Sequence, residues 1–160
     1  QREAGNPSVL SSVLQYFGPI RLQNKKVLDV SQYEGYFARI TKRMCAQDVK
    51  IYNEDAVMSR FIKMICDLLY IKDIEVLNSD GQQLKTICEE ADIIFGMTNT
   101  RMLLEKGYLR RFSGQLFIEF DVADAEIVTM LREKTNLNKY KPLHREVFQG
   151  KLMETGVMAV

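Results

Sequence analysis

The sequence predicts an α/β domain: a Rossmann-like three-layer sandwich with a mainly parallel sheet and helices on both faces. Three observations carry this. Short apolar runs rich in β-branched residues alternate five times with segments whose apolar residues recur at helical spacing. The connections are short, and parallel strands need crossovers of the helical kind. The 160 residues are 46% hydrophobic and 27% charged, ordinary globular values. A domain near this size hides roughly 70% of the surface its unfolded chain exposes, so a real core is expected.

Residues 1–24 read as an N-terminal helix and lead-in, and residues 25–160 as the Rossmann-like domain. Gln1 to Pro7 is polar. Ser8 is placed to cap a helix in which Val9, Leu10, Val13, Leu14 and Phe17 share a face, and Gly18-Pro19 ends it. The run VLDV, Val27 to Val30, is a buried strand. A helix follows from about Glu34 to Cys45, then a strand from Val49 to Asn53. The long helix from Asp55 to Tyr70 carries Val57, Phe61, Ile62, Ile65, Leu68 and Leu69 on its apolar side. Ile74 to Leu77 is a short strand. Asp80 and Gln83 make a start close to a capping box for a helix ending near Glu90. Ala91 to Gly96 is a strand, and Thr100 to Lys106 a short helix closed by Gly107. Gln115 to Phe120 is the fifth strand, and Asp124 to Lys134 a further helix. The tail from Glu146 to Val160 reads as a β-hairpin turning at Gly150-Lys151.

Composition narrows the function classes. Twenty-two basic and 21 acidic residues leave a net charge of +1, so no broad field attracts nucleic acid or an anionic membrane. No apolar run approaches the roughly 20 residues of a membrane helix, and no signal peptide is visible. Cys45, Cys66 and Cys88 are odd in number, widely spaced and in apolar helical context. Buried free thiols in a reducing, cytoplasmic compartment are expected. His144 is the only histidine, so no metal site is expected. The chain starts at Gln1 rather than Met, and a piece of a longer protein is expected.

In a doubly wound sheet, ligands bind outside the carboxyl ends of the strands. The first such loop is Ser31-Gln32-Tyr33-Glu34-Gly35-Tyr36. A dinucleotide fingerprint needs glycines there for the tight turn, for amide approach to phosphates and for helix packing. Only Gly35 remains; Gln32 and Tyr33 would crowd a pyrophosphate and Glu34 would repel it. The loop either still holds a ligand through Ser31, Gln32, Tyr33, Gly35 and Tyr36, aided by the helix N-terminus, or merely connects strand to helix. Glu54 or Asp55, after the second strand, can accept from ribose hydroxyls, or Asp55 can cap the next helix. Asn78-Ser79-Asp80 suits adenine or ribose contact and equally a turn; Thr98 and Asn99 can face a cofactor or cap a helix. No catalytic constellation is visible. Glu119 in the fifth strand needs a strand end, a partner or a function. Arg110-Arg111 and the Lys139–Lys141 segment read as solvated faces, and His144 as a surface histidine.

Two family resemblances follow from these stretches. The run VLDVSQYEGYFARI resembles the first motif of class I S-adenosylmethionine-dependent methyltransferases, D-x-G-x-G-x-G: Asp29 and Gly35 fall on its first and last positions, and Ser31 and Tyr33 on its other two glycines. A longer stretch, a helix followed by RLQNKKVLDV (Arg21–Val30), the acidic end of the second strand, and ADIIFGMTNT through MLLEKGYLRRFSGQLFIEFDVADAEI (Ala91–Ile127), resembles the NAD-binding domain of S-adenosylhomocysteine hydrolase and the 2-hydroxyacid dehydrogenases. This second resemblance implies NAD as cofactor at the Ser31–Tyr36 loop, Glu54 or Asp55, and Thr98–Asn99, with the catalytic residues in a domain outside this chain. S-adenosylmethionine is the alternative cofactor. The expected function is a binding or interaction module, or a fragment of a larger protein, with a degenerate dinucleotide loop. A dinucleotide or nucleoside ligand, a protein partner or a homo-oligomer would suit it; the alternative is an NAD- or S-adenosylmethionine-dependent enzyme domain.

Overall fold

The computed structural model describes residues 7–18 and 21–160. The expected alternation is present: α1 (Pro7–Phe17), β1 (Lys26–Asp29), α2 (Tyr36–Arg43), β2 (Asp48–Tyr52), α3 (Ala56–Leu68), β3 (Ile74–Leu77), α4 (Gln82–Glu90), β4 (Ile93–Met97), α5 (Thr100–Glu105), β5 (Gln115–Asp121) and α6 (Ala125–Lys134). The tail forms β6 (Lys139–Phe148) and β7 (Lys151–Ala159). The side chain of Ser8, expected to cap this helix, and the stop expected at Pro19 are not among what the structure describes.

All seven strands join one sheet in the order β3-β2-β1-β4-β5-β7-β6. The first five are parallel, and β7 lies antiparallel between β5 and β6. The usual dinucleotide-binding order is 3-2-1-4-5-6. Here the place beside β5 is taken by a reversed strand, because the chain passes β5, makes β6 at the outer edge and returns. The hairpin turns one residue earlier than expected, at Gln149-Gly150, with φ of 50° and 76°. Two positive φ values match the twist of the strands, and Phe148 then faces Lys151.

Alternate residues of the central strands feed two cores. Val27, Val49, Ile51, Ile93, Phe95 and Phe117 pack under α1, α2 and α3. Leu28, Val30, Ile94, Leu116 and Ile118 pack under α4, α5 and α6. The first core is organised by an aromatic stack. Phe37 from α2 lies flat on Phe95 of β4 at 4.7 Å, and Phe95 on Phe117 of β5 at 4.9 Å. Phe17 of α1 meets Phe95 edge-on and Phe117 at a tilt.

Three helix details depart from expectation. α4 starts after Gly81 without a side-chain cap, because Asp80 instead accepts from Lys106 Nζ and from the Tyr108 hydroxyl. In α3 the inward residues are Ser59, Ile62 and Cys66, while Val57, Phe61, Leu68 and Leu69 are exposed. The helix carries two apolar stripes, and the sheet takes the narrower one. Cys66 and Cys88 are buried free thiols, but Cys45 is exposed, because its left-handed φ of 68° ends α2 and turns it outward. Burial pushes the Cys88 thiol up to about 12, with Glu89 and Asp80 adding to it, so it is inert. Among the described residues no helix is long and apolar enough to cross a membrane, and no His, Cys, Asp and Glu group could hold a metal.

Phe95 is fully buried between two rings. Phe95→Ala is expected to cost about 3–5 kcal/mol, a large part of a typical domain's stability. Urea unfolding checks this; a loss below about 1 kcal/mol would mean that the stack does not organise the core.

Candidate functional site

A cleft of about 630 Å³ opens at the carboxyl ends of β1, β2, β4 and β5. That volume is typical of a small-molecule site. Each wall follows from a local feature of the chain.

The floor begins with Asp29, the last residue of β1, which is fully buried. One carboxylate oxygen accepts from the Ser31 amide at 2.9 Å and the Ser31 hydroxyl at 2.6 Å. The other accepts from the Ala38 amide, in the first turn of α2, at 3.1 Å. Burial pushes the Asp29 carboxyl up from 3.8 to about 6, against the pull of these donors and of Arg39. Ser31 is therefore a structural residue. It is buried and does not line the cleft.

Tyr33 turns inward. It is 5% exposed, its ring meets Phe37 edge-on at 5.4 Å, and its hydroxyl donates to Glu119 Oε2 at 2.7 Å. This hydrogen bond answers the charge in β5 that the sequence left open. The Tyr33–Glu119 pair spans from the β1 loop to the end of β5, and both residues line the cleft. Glu34 follows with φ of 55°, and its carbonyl accepts from Arg39 Nη1.

Gly35 caps α2 in the left-handed region, with φ of 72°. A Cβ there would lie 2.7 Å from Ile51 Cδ1 and 3.2 Å from Ile62 Cγ2. Glycine is thus required by both backbone and packing, which is the helix–strand role of the last fingerprint glycine. Gly35 does not line the cleft, and neither does Tyr36, which packs against the first core. Ser31, Gly35 and Tyr36 thus shape the loop from beneath the cleft, outside its lining.

At the end of β2 the structure separates two neighbours. Asp55 caps α3, accepting from Val57 N at 2.8 Å and Met58 N at 3.2 Å. Glu54 is exposed on the cleft wall, and among the described residues no hydrogen bond or ion pair holds its carboxylate. The opposite wall is the β4–α5 turn. Met97 ends β4 at φ of 49°, beside an irregularity in the β4–β5 register. Asn99 does not cap α5; its Nδ2 donates to the Val30 carbonyl at 2.7 Å, and its Oδ1 faces Gln32 Nε2 at 3.4 Å. Thr98 beside it is exposed into the cleft.

Six of the residues chosen from sequence therefore line the cleft: Gln32, Tyr33, Glu54, Asp55, Thr98 and Asn99. The sequence missed two groups. Tyr52, Met58 and Met102 supply apolar lining from elements already recognised. Phe148, Gln149 and Met153 come from the C-terminal hairpin, whose turn reaches the cleft because β7 pairs with β5. No local signal marks them. Asn78, Ser79 and Asp80 do not line it. Arg110, Arg111, Lys139 and Lys141 are exposed as expected, whereas His144 is half-buried at an irregularity in the β6–β7 register, 3.6 Å from Glu146. Among the described residues the cleft's charged lining is acidic: Glu34, Glu54, Asp55 and Glu119, with no Lys, Arg or His.

Against protein-family models and curated proteins the sequence finds no match. Solved structures do match. A ribosomal protein L11 methylase from Lactobacillus delbrueckii subsp. bulgaricus superposes with a TM-score of 0.66 at 14% identity, over all of this chain and 81% of that one. A SAM-dependent methyltransferase from Aquifex aeolicus gives 0.62 at 18%, over 97% and 94%. M. jannaschii TYW2 in complex with AdoMet gives 0.64 at 11%, over 100% and 80%. The fold is that of the Rossmann-like methyltransferases. The resemblance to S-adenosylhomocysteine hydrolase and the NAD dehydrogenases is not supported, and the reversed strand is the structural reason.

The Asp29 carboxyl sets a pH dependence. Its folded pKa of about 6 lies above the ordinary 3.8, so the folded state holds this proton more tightly than the unfolded chain. Its contribution to stability is full below pH 3.8 and is lost as pH rises through 6. The loss amounts to about 3 kcal/mol at most. Asp29→Asn is expected to flatten the slope of unfolding free energy between those limits. An unchanged slope, read from urea midpoints across the window, would assign the titration elsewhere.

Proposed function

We propose that the chain is a S-adenosylmethionine-dependent enzyme domain that binds its ligand in the cleft over β1, β2 and β4. The observation that carries this is the division of labour after β2. Asp55 is consumed by capping, and Glu54 stands over the cleft with its carboxylate available to accept from two ribose hydroxyls.

The residues present fit an adenosyl ligand that lacks phosphate. Three amides of the β1 loop and the start of α2 are engaged within the protein: those of Ser31 and Ala38 go to Asp29 and that of Tyr36 to the Tyr33 carbonyl. With four carboxylates and no cation on the lining, the cleft suits a cationic sulfonium and repels a pyrophosphate. Tyr52, Met58 and Met102 offer apolar surface for a nucleobase. Gln32 and Asn99 offer polar side chains at the mouth. S-adenosylmethionine, when bound, supplies an activated methyl group; the chain's own residues hold and orient it. NAD, with two phosphates, meets no comparable partner. A second reading is favoured by one observation, the inward Tyr33. Its side chain, locked on Glu119, fills space beneath the loop that a glycine would leave open. On that reading the cleft is an interaction module that holds a ligand or partner without transferring a methyl group.

Calorimetric titration with S-adenosylmethionine, S-adenosylhomocysteine and NAD⁺ tests both. Saturable binding of the first is expected, with no binding of NAD⁺. Glu54→Gln is expected to weaken binding by about 10- to 100-fold, the loss of hydrogen bonds to a charged acceptor. Silence with both sulfur ligands would refute the enzyme reading and leave the interaction module. Binding insensitive to Glu54 would remove its ribose role.

A further inference from the structure

The outer face of α3 carries an apolar seam that none of the described residues covers. Val57 is 67% exposed, Phe61 41%, Met64 50% and Leu68 70%. Their spacing is four, three and four residues, the repeat of a coiled-coil seam. On a helix of 100° per residue they lie opposite Ser59, Ile62 and Cys66, which face the sheet. Leu69 and Tyr70 extend the exposed patch past the helix end. Exposed apolar surface gathered into one stripe marks an interaction surface.

We propose that this seam is a homodimer contact, formed by two α3 helices packing antiparallel about a two-fold axis. Two features single out a second copy of this chain. The spacing reads the same from either end, so a reversed copy places Val57 on Leu68 and Phe61 on Met64, twice over. The charges on the flank are self-complementary. Arg60 and Asp67 are both exposed, seven residues apart on the same side of the seam. In the antiparallel pair each Arg60 meets the Asp67 of the other copy. A parallel pair would instead turn that flank toward Met58 and Ile65 of the other copy, so Arg60 and Asp67 would not meet. The contact is short, because α3 has 13 residues and spans about 20 Å, so the dimer is concentration-dependent. The proposal is independent of the ligand assigned to the cleft, since the seam points away from the sheet.

Sedimentation velocity on the 160-residue chain, from low micromolar to near-millimolar concentration, tests it. A monomer–dimer equilibrium is expected, abolished by Phe61→Glu, an exposed position whose change leaves the fold intact by circular dichroism. Arg60→Asp and Asp67→Arg alone are each expected to weaken association about tenfold or more, since each creates two like-charge pairs. The double exchange restores it, and mixing the two single variants yields a heterodimer stronger than either homodimer. A chain that stays monomeric throughout would assign the seam to a different partner and overturn the proposal. So would a dimer that ignores Phe61, or single exchanges that behave like the parent.

Discussion

The carboxylate of Asp29 is the constraint on which the site depends. A fully buried carboxyl is costly unless donors surround it. Here the Ser31 amide, the Ser31 hydroxyl and the Ala38 amide do so. Those three hydrogen bonds tie the end of the central strand to both the loop and the first turn of α2. Gly35 then has to pass within packing distance of Ile51 and Ile62, which only a residue without Cβ can do. With the loop drawn down at both ends, Tyr33 is directed inward to Glu119. One buried acid thus propagates to β5, two strands away.

The same constraint decides the chemistry of the cleft. The Ser31, Tyr36 and Ala38 amides are engaged inside the protein. The remaining ionisable groups on the lining are carboxylates. A ligand there must be recognised through hydroxyls, apolar surface and positive charge. The opposite wall is held in place by Asn99 bridging to the Val30 carbonyl, so the β1 and β4 loops form one rigid unit.

The alternation of strands and helices was legible because it depends on local periodicity. The boundaries of β3 were read correctly. Glu54 and Asp55 could not be told apart, because both choices satisfy the same sequence pattern. The structure separates them by which one α3 uses as its cap. The apolar stripes of α3 show the same limit. Periodicity reports that Val57, Phe61 and Leu68 align, but not whether the aligned face meets the sheet or the solvent.

The sequence by itself determined the fold class, the order of the elements and the loss of the glycine loop. These rest on hydrophobic spacing and on residue identity at a turn, which act over a few residues. Tertiary structure alone decided that β7 runs antiparallel beside β5, and hence which family of folds the chain resembles. It also decided that the hairpin tip at Phe148 and Gln149 closes the cleft, and that Tyr33 finds Glu119. Each of these is a pairing between groups far apart in the chain. The free energy of such pairings comes from contacts that exist only once the sheet has assembled.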